Sequence, residues 1–179
     1  MQYSRVLSAI VVLTIVLALS THAENKFVGS KACSMCHKGG KGGTAYTVWE
    51  KSAHAKAYQT LLGEDAKKVA KEKGLKVAPN EAPECLKCHV TGGGAAKNVD
   101  ASFKKEEGVG CEACHGAGSA FKMVHMGGDM AKAKAAGMIV PEKDEKLCVT
   151  CHNEGSPTHK PFKFAEMWAK IEHGKPAKK

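Results

Sequence analysis

Apolar side chains are spread unevenly along the 179 residues, and their spacing is helical wherever it is regular. Val6 to Leu19 is a 14-residue apolar run broken only by Ser8 and Thr14. Further on, Tyr46, Trp49, Ala53, Ala57 and Leu61 recur at intervals of three and four, which predicts an amphipathic helix over Thr44 to Leu62 that carries His54 and stops at Gly63. A second helix is expected from Glu64 to Lys73, closed by Gly74. Ala131 to Ala136 alternates Ala and Lys before Gly137 and reads as a short helix with no strong apolar face. Phe164, Met167, Trp168 and Ile171 predict a last helix, with Pro161 near its start and Gly174 just after His173. The glycine-rich runs Gly39 to Gly43 and Gly92 to Gly94 read as loops, and Lys175 to Lys179 as a frayed tail. No stretch shows strand alternation, so the expected class is mainly α with little β.

The first run is read as an export signal. Met1 to Arg5 supply a positive start, and Thr21-His22-Ala23 offers a small-residue cleavage site, with cleavage expected after Ala23. An uncleaved anchor is the alternative, but 14 apolar residues fall short of the roughly 20 that span a bilayer. No cysteine lies near the junction for lipid attachment, so residues 24–179 are expected to work as one domain in the periplasm, without a stable membrane span. Ten of the 32 Leu, Ile, Val and Phe residues leave with the signal. The remaining 156 residues keep 22, about 14%, below the roughly 20% at which a highly charged chain is expected to stay disordered. A Rossmann or barrel enzyme, whose strands need long Val/Ile/Leu runs, is thereby made improbable. Something other than polypeptide has to fill the middle.

The eight cysteines indicate what that is. They form four identical groups: Cys33-Ser-Met-Cys36-His37, Cys85-Leu-Lys-Cys88-His89, Cys111-Glu-Ala-Cys114-His115 and Cys148-Val-Thr-Cys151-His152. A zinc ribbon needs no His after each pair, a thioredoxin-like protein needs a single pair, and a disulfide scaffold has no reason for such regularity. Cys-x-x-Cys-His repeated four times is the pattern of c-type haem attachment. Two thiols three positions apart reach both vinyl groups of one porphyrin, and the adjacent His binds the iron axially. Four covalent haems amount to one per 39 residues, so the cofactors are the core. They also temper the basic charge: residues 24–179 carry a net +8, against about −8 from eight propionates and about +1 per ferric porphyrin.

The opposite face of each iron is open to argument from the residues alone. Outside the motifs, residues 24–179 contain His54, His125, His159 and His173, one for each haem. Methionine is the competing donor, with Met35, Met123, Met126, Met130, Met138 and Met167 available. The choice matters because two histidines hold the potential lower than His with Met.

Three further stretches carry a resemblance. Trp49-Glu-Lys-Ser-Ala-His-Ala-Lys-Ala57 after the first motif, Gly108-Val-Gly-Cys-Glu-Ala-Cys-His-Gly116 around the third, and Phe162-Lys-Phe-Ala-Glu-Met167 near the end resemble the tetrahaem cytochrome c-554 family over most of residues 24–179. The resemblance implies short helices and loops wrapped around four haems. It also implies that His54 ligates the haem on Cys111 and Cys114, His125 that on Cys33 and Cys36, and His173 that on Cys148 and Cys151. The second haem, on Cys85, Cys88 and His89, is five-coordinate in the family pattern. This chain departs from that pattern in a shortened connection, Glu154-Gly-Ser-Pro157 running almost directly into Phe162. The connection contains His159, which either closes the second iron or is a solvated loop side chain.

Two functions follow. The first is a periplasmic relay that passes single electrons between redox proteins, the resemblance implying a hydroxylamine oxidoreductase-like donor and a membrane or soluble cytochrome acceptor. The second is a small redox enzyme reducing nitric oxide or another nitrogen oxide at a five-coordinate second haem. The relay is favoured, because no acid/base cluster stands out near Cys88-His89. Lys31, Lys38, Lys87, Lys104 and Lys105 around the motifs are candidates to steer an acidic partner, the alternative for each being a solvated face. Nucleic acid is not an expected partner, since residues 24–179 contain no arginine and no recognition motif.

Overall fold

The computed structural model describes residues 24–94 and 97–174. The expected export signal and the C-terminal tail lie outside them. Eight short helices follow in order: α1 Lys31–His37, α2 Ala45–Lys51, α3 Ala57–Thr60, α4 Glu64–Glu72, α5 Pro83–His89, α6 Glu112–His115, α7 Met130–Ala135 and α8 Phe164–Ile171. Among the described residues the β content is one parallel bridge between Phe27 and Val99. The chain is mainly helical, as its spacing predicts. No helix among the described residues is long and apolar enough to cross a membrane.

Several helices are the cysteine motifs themselves. α1 and α5 each enclose a whole Cys-x-x-Cys-His, α6 holds the end of the third, and a 3₁₀ turn at Cys148–Thr150 opens the fourth. Helical winding stacks positions i, i+3 and i+4 on one side, which turns both thiols and the following imidazole toward one face. Pro83 starts α5 at a position where its missing N–H costs nothing. α4 carries Glu64 and Asp65 in its first turn, where the helix dipole favours them. Asp129 caps α7 by accepting from Lys132 N–H at 3.0 Å.

The helix expected over Thr44 to Leu62 is instead three pieces. α2 ends at Lys51, Ser52 is extended (φ −78°, ψ 164°), a 3₁₀ turn covers His54–Lys56, and α3 follows. The break is fixed from outside the segment. Val109 N–H donates to the His54 carbonyl at 3.0 Å, and Trp49 Nε1–H donates to the Val109 carbonyl at 2.8 Å. Helical periodicity cannot register a carbonyl drawn to a distant strand of chain. Gly108 makes the approach possible: at φ +70° a Cβ there would sit 2.6 Å from the His54 oxygen.

Polypeptide packing is meagre. Tyr58, Leu61, Leu86 and Val90 form the buried cluster, with Cys85 and Phe103 against it. This knits α3 to α5 and little else. A second knot is polar. The segment from Lys26 to Ser30 is laced onto residues 107–119, with Ser119 N–H donating to the Lys26 carbonyl at 3.1 Å and Cys111 N–H to Ser30 Oγ at 3.2 Å. Meanwhile Met35 (89% exposed), Met123 (65%), Met126 (58%) and Ile139 (51%) point away from any protein partner. So many exposed large apolar groups mark a surface meant to be covered.

Candidate haem centres

The uncovered apolar side chains flank histidines. Five of the eight imidazoles near the motifs or in the candidate distal set are held by Nδ1 against a backbone carbonyl. His37 bonds Gly42 O at 2.7 Å, His89 Ala57 O at 2.7 Å, His115 Ile139 O at 3.0 Å, His125 Phe121 O at 3.0 Å and His173 Ile171 O at 3.0 Å. A carbonyl only accepts, so in each ring Nδ1 carries the proton and Nε2 keeps its lone pair. This is the arrangement by which proteins orient a metal-ligating histidine. Burial holds His54 and His115 below the ordinary imidazole range, which keeps them neutral and able to donate that lone pair.

Six of the rings stand in three facing pairs. His37 and His125 are parallel, 5.8 Å between centres and 6° between planes. His54 faces His152 at 6.0 Å, and His115 faces His173 at 5.9 Å, with planes inclined at 58° and 57°. Each pair joins one histidine from a Cys-x-x-Cys-His motif to one from outside the motifs. Direct ring stacking closes to nearer distances, as in His152 against Phe162 at 4.8 Å and 21°. An iron between two imidazoles needs two metal–nitrogen bonds of about 2 Å plus roughly 1 Å from each nitrogen to its ring centre, about 6 Å in all.

The ring pairs differ from the assignment implied by resemblance. His125 faces the first motif, as that assignment has it, but His54 faces His152 of the fourth motif, and His173 faces His115 of the third. His54 sits in the 3₁₀ turn after the break, its carbonyl held by Val109 N–H, and His173 lies two residues beyond the end of α8. His159 is not brought to His89. It lies exposed in a turn, its N–H bonded to Ser156 O at 3.1 Å. The His89 ring has Thr60 Oγ1 at 3.1 Å and the Ala57 carbonyl as neighbours, and faces no second imidazole among the described residues.

The thiols also converge across motifs. No disulfide joins the eight cysteines; the neighbouring Cys111 and burial raise the Cys33 thiol, and Cys33 lowers that of Cys111. Cys88 is pushed up to about 11 by burial and by the nearby Cys151. Cys114 is pushed up to about 11 by burial, with Cys148 next to it. The first motif thus neighbours the third, the second the fourth, and the third the fourth.

Comparison with known proteins decides what such centres are. The family described as cytochrome c554 and c-prime matches residues 32–116. Cytochrome c-554 of Nitrosomonas europaea is 34% identical over 169 residues, covering 84% of this chain and 68% of that protein. The chain belongs to the cytochrome c-554 family. No solved structure matches it. Family membership makes it a c-type cytochrome, with covalently bound haem iron and a role in electron transfer.

The residues fit such a group. Trp168 Nε1 is buried with no hydrogen-bond partner, and a haem propionate is an acceptor of the kind it lacks. Met35, Met123 and Met126 flank the His37–His125 pair, and Ile139 and Val140 adjoin His115, all of them exposed. In this family member, the residues that sequence reasoning misses are those without a motif: the carbonyls that orient the rings, Phe162 on His152, and Trp168.

Proposed function

We propose that the chain is an exported, periplasmic electron relay carrying four covalently attached c-type haems. The observation that supports it is the set of three facing imidazole pairs, each combining a motif histidine with an outlying one at 5.8 to 6.0 Å. Cys33 and Cys36, Cys85 and Cys88, Cys111 and Cys114, and Cys148 and Cys151 would hold the haems by thioether bonds. His37, His89, His115 and His152 would hold the irons from the motif side. His125, His173 and His54 would hold the first, third and fourth from the other, and the second would have no second imidazole. When bound, each haem supplies a one-electron ferric/ferrous couple.

The protein's own part is to keep coordination unchanged between the two oxidation states. Nδ1 bonds to fixed carbonyls stop the rings from turning, so little reorganisation accompanies each electron. Cys33 near Cys111, Cys88 near Cys151 and Cys114 near Cys148 bring the attachments close to one another. Exposed Lys31, Lys38, Lys87 and Lys104 form the basic surface for acidic redox partners.

A second reading, reduction of a small nitrogen oxide at the second haem, is favoured by the unpaired His89. Cyanide or nitric oxide binding at one haem fits both readings. Sustained consumption of nitric oxide by reduced protein fits only the second. The relay is tested by anaerobic reductive titration of holoprotein of known intact mass. Four haems and four electrons per chain are expected, with signal residues 1–23 absent. Fewer than four of either overturns the relay as stated.

A further inference from the structure

Glu112 is the one carboxylate buried among the described residues, 4% exposed, and it sits inside the third motif between Cys111 and Cys114. Its oxygens collect donors from two separated stretches. Val28 N–H lies 2.9 Å from Oε1 and 3.0 Å from Oε2, Gly29 N–H 2.8 Å from Oε2, and Gly118 N–H 2.6 Å from Oε1. The Val28–Gly29 stretch leads directly into α1 and the first motif. Glu107 grips the same stretch one residue on, accepting from Ser30 N–H. Beyond this clamp Cys111 N–H donates to Ser30 Oγ, just before α1, at 3.2 Å.

Burying a carboxylate is expensive, and an apolar clamp would hold the same segments without that cost. The charge itself therefore calls for a use. We propose that Glu112 is a positioning residue that also sets potential: it fixes the first haem attachment to the third and holds a negative charge between them, lowering the reduction potentials of the haems carried there. This rests on the four-haem reading. A ferric haem carries one more positive charge than a ferrous one, so a nearby carboxylate favours the oxidised form. In the interior that effect is weakly screened. The six ion pairs among the described residues, by contrast, all lie in the solvated surface, where salt screens them. Lys31 is the cation that acts on Glu107, and it is exposed.

The test is Glu112→Gln in holoprotein, titrated potentiometrically while EPR follows the first haem and the hyperfine-shifted NMR resonances of the thioether substituents follow the third and fourth. The haem between the parallel rings of His37 and His125 is distinguished by its more rhombic signal. In the variant, the ratio of reduced to oxidised iron at that haem and at the third should rise about tenfold at fixed ambient potential, about 59 mV for a one-electron couple, with the second and fourth within about twofold. A purely structural clamp would lower stability and leave the midpoints in place. A four-haem Glu112→Gln protein with no shift, or with the same shift at all four haems, overturns the proposal. If Glu112→Gln yields no holoprotein, Glu107→Gln decides: it keeps an acceptor for Ser30 and removes a charge from the same clamp. A smaller rise at the same two haems supports the proposal, and no rise there overturns it. A chain with fewer than four haems fails the four-haem reading instead.

Discussion

With all eight motif cysteines replaced by serine, the chain is expected to lose its fold outright: far-UV circular dichroism near that of a disordered polymer and no cooperative transition in denaturant. The replacement changes each thiol by one atom, and no buried side chain is lost. What disappears is the attachment. Protein packing alone supplies the Tyr58, Leu61, Leu86 and Val90 cluster, a few isolated buried residues, and the polar lacing of the N-terminal segment. Ordering each residue costs on the order of 1.5 kcal/mol, and a cluster of four large side chains offsets only a small part of that over more than 150 residues. Met35, Met123, Met126 and Ile139 would remain in water. A serine variant that unfolds cooperatively would show that the polypeptide holds itself together.

The second large effect concerns individual irons. His173→Ala should convert the haem on Cys111 and Cys114 from low-spin to high-spin, and His54→Ala should do the same to the haem on Cys148 and Cys151. Each removes one of two imidazoles from a pair whose partner ring stays anchored, His115 by the Ile139 carbonyl and His152 by Phe162. Loss of one strong axial donor weakens the ligand field and opens a site for carbon monoxide. Each variant should bind one more carbon monoxide per chain than the wild type. Hyperfine-shifted NMR resonances of the thioether substituents identify the altered haem. Finding the His173→Ala change at the Cys148/Cys151 haem would restore the assignment implied by resemblance and refute the facing pairs.

The contrast between those assignments shows what the sequence carries. The four motifs, the mainly helical class, and the helices at α4, α7 and α8 are local features, written in spacing and in glycine stops. The identities of His54, His125 and His173 as outlying candidates were legible as well, because unattached histidines are few. Which motif histidine each one faces was not legible, because it is set by contacts between distant segments, such as Val109 N–H reaching the His54 carbonyl across more than fifty residues. Hydrogen bonds to backbone carbonyls leave no mark on composition or periodicity, so the anchors of His37, His89 and His115 were equally invisible. His159 illustrates the opposite case. The histidine count and the shortened loop left it as either a ligand or a loop side chain, and the Ser156–His159 turn leaves it exposed. Glu112 looked like an arbitrary residue between two cysteines, and only the donors from Val28, Gly29 and Gly118 set it apart.

Three irons closed by imidazole pairs and one left open is the central claim, and quantitative EPR of the fully ferric holoprotein, integrated against its haem content, tests it most directly. The facing pairs of His37 with His125, His54 with His152, and His115 with His173 predict three low-spin irons per chain and one high-spin iron, the latter at the His89 haem. Four low-spin irons would contradict an open second site and return His159 or another donor to His89. Two or more high-spin irons would contradict the pairs themselves.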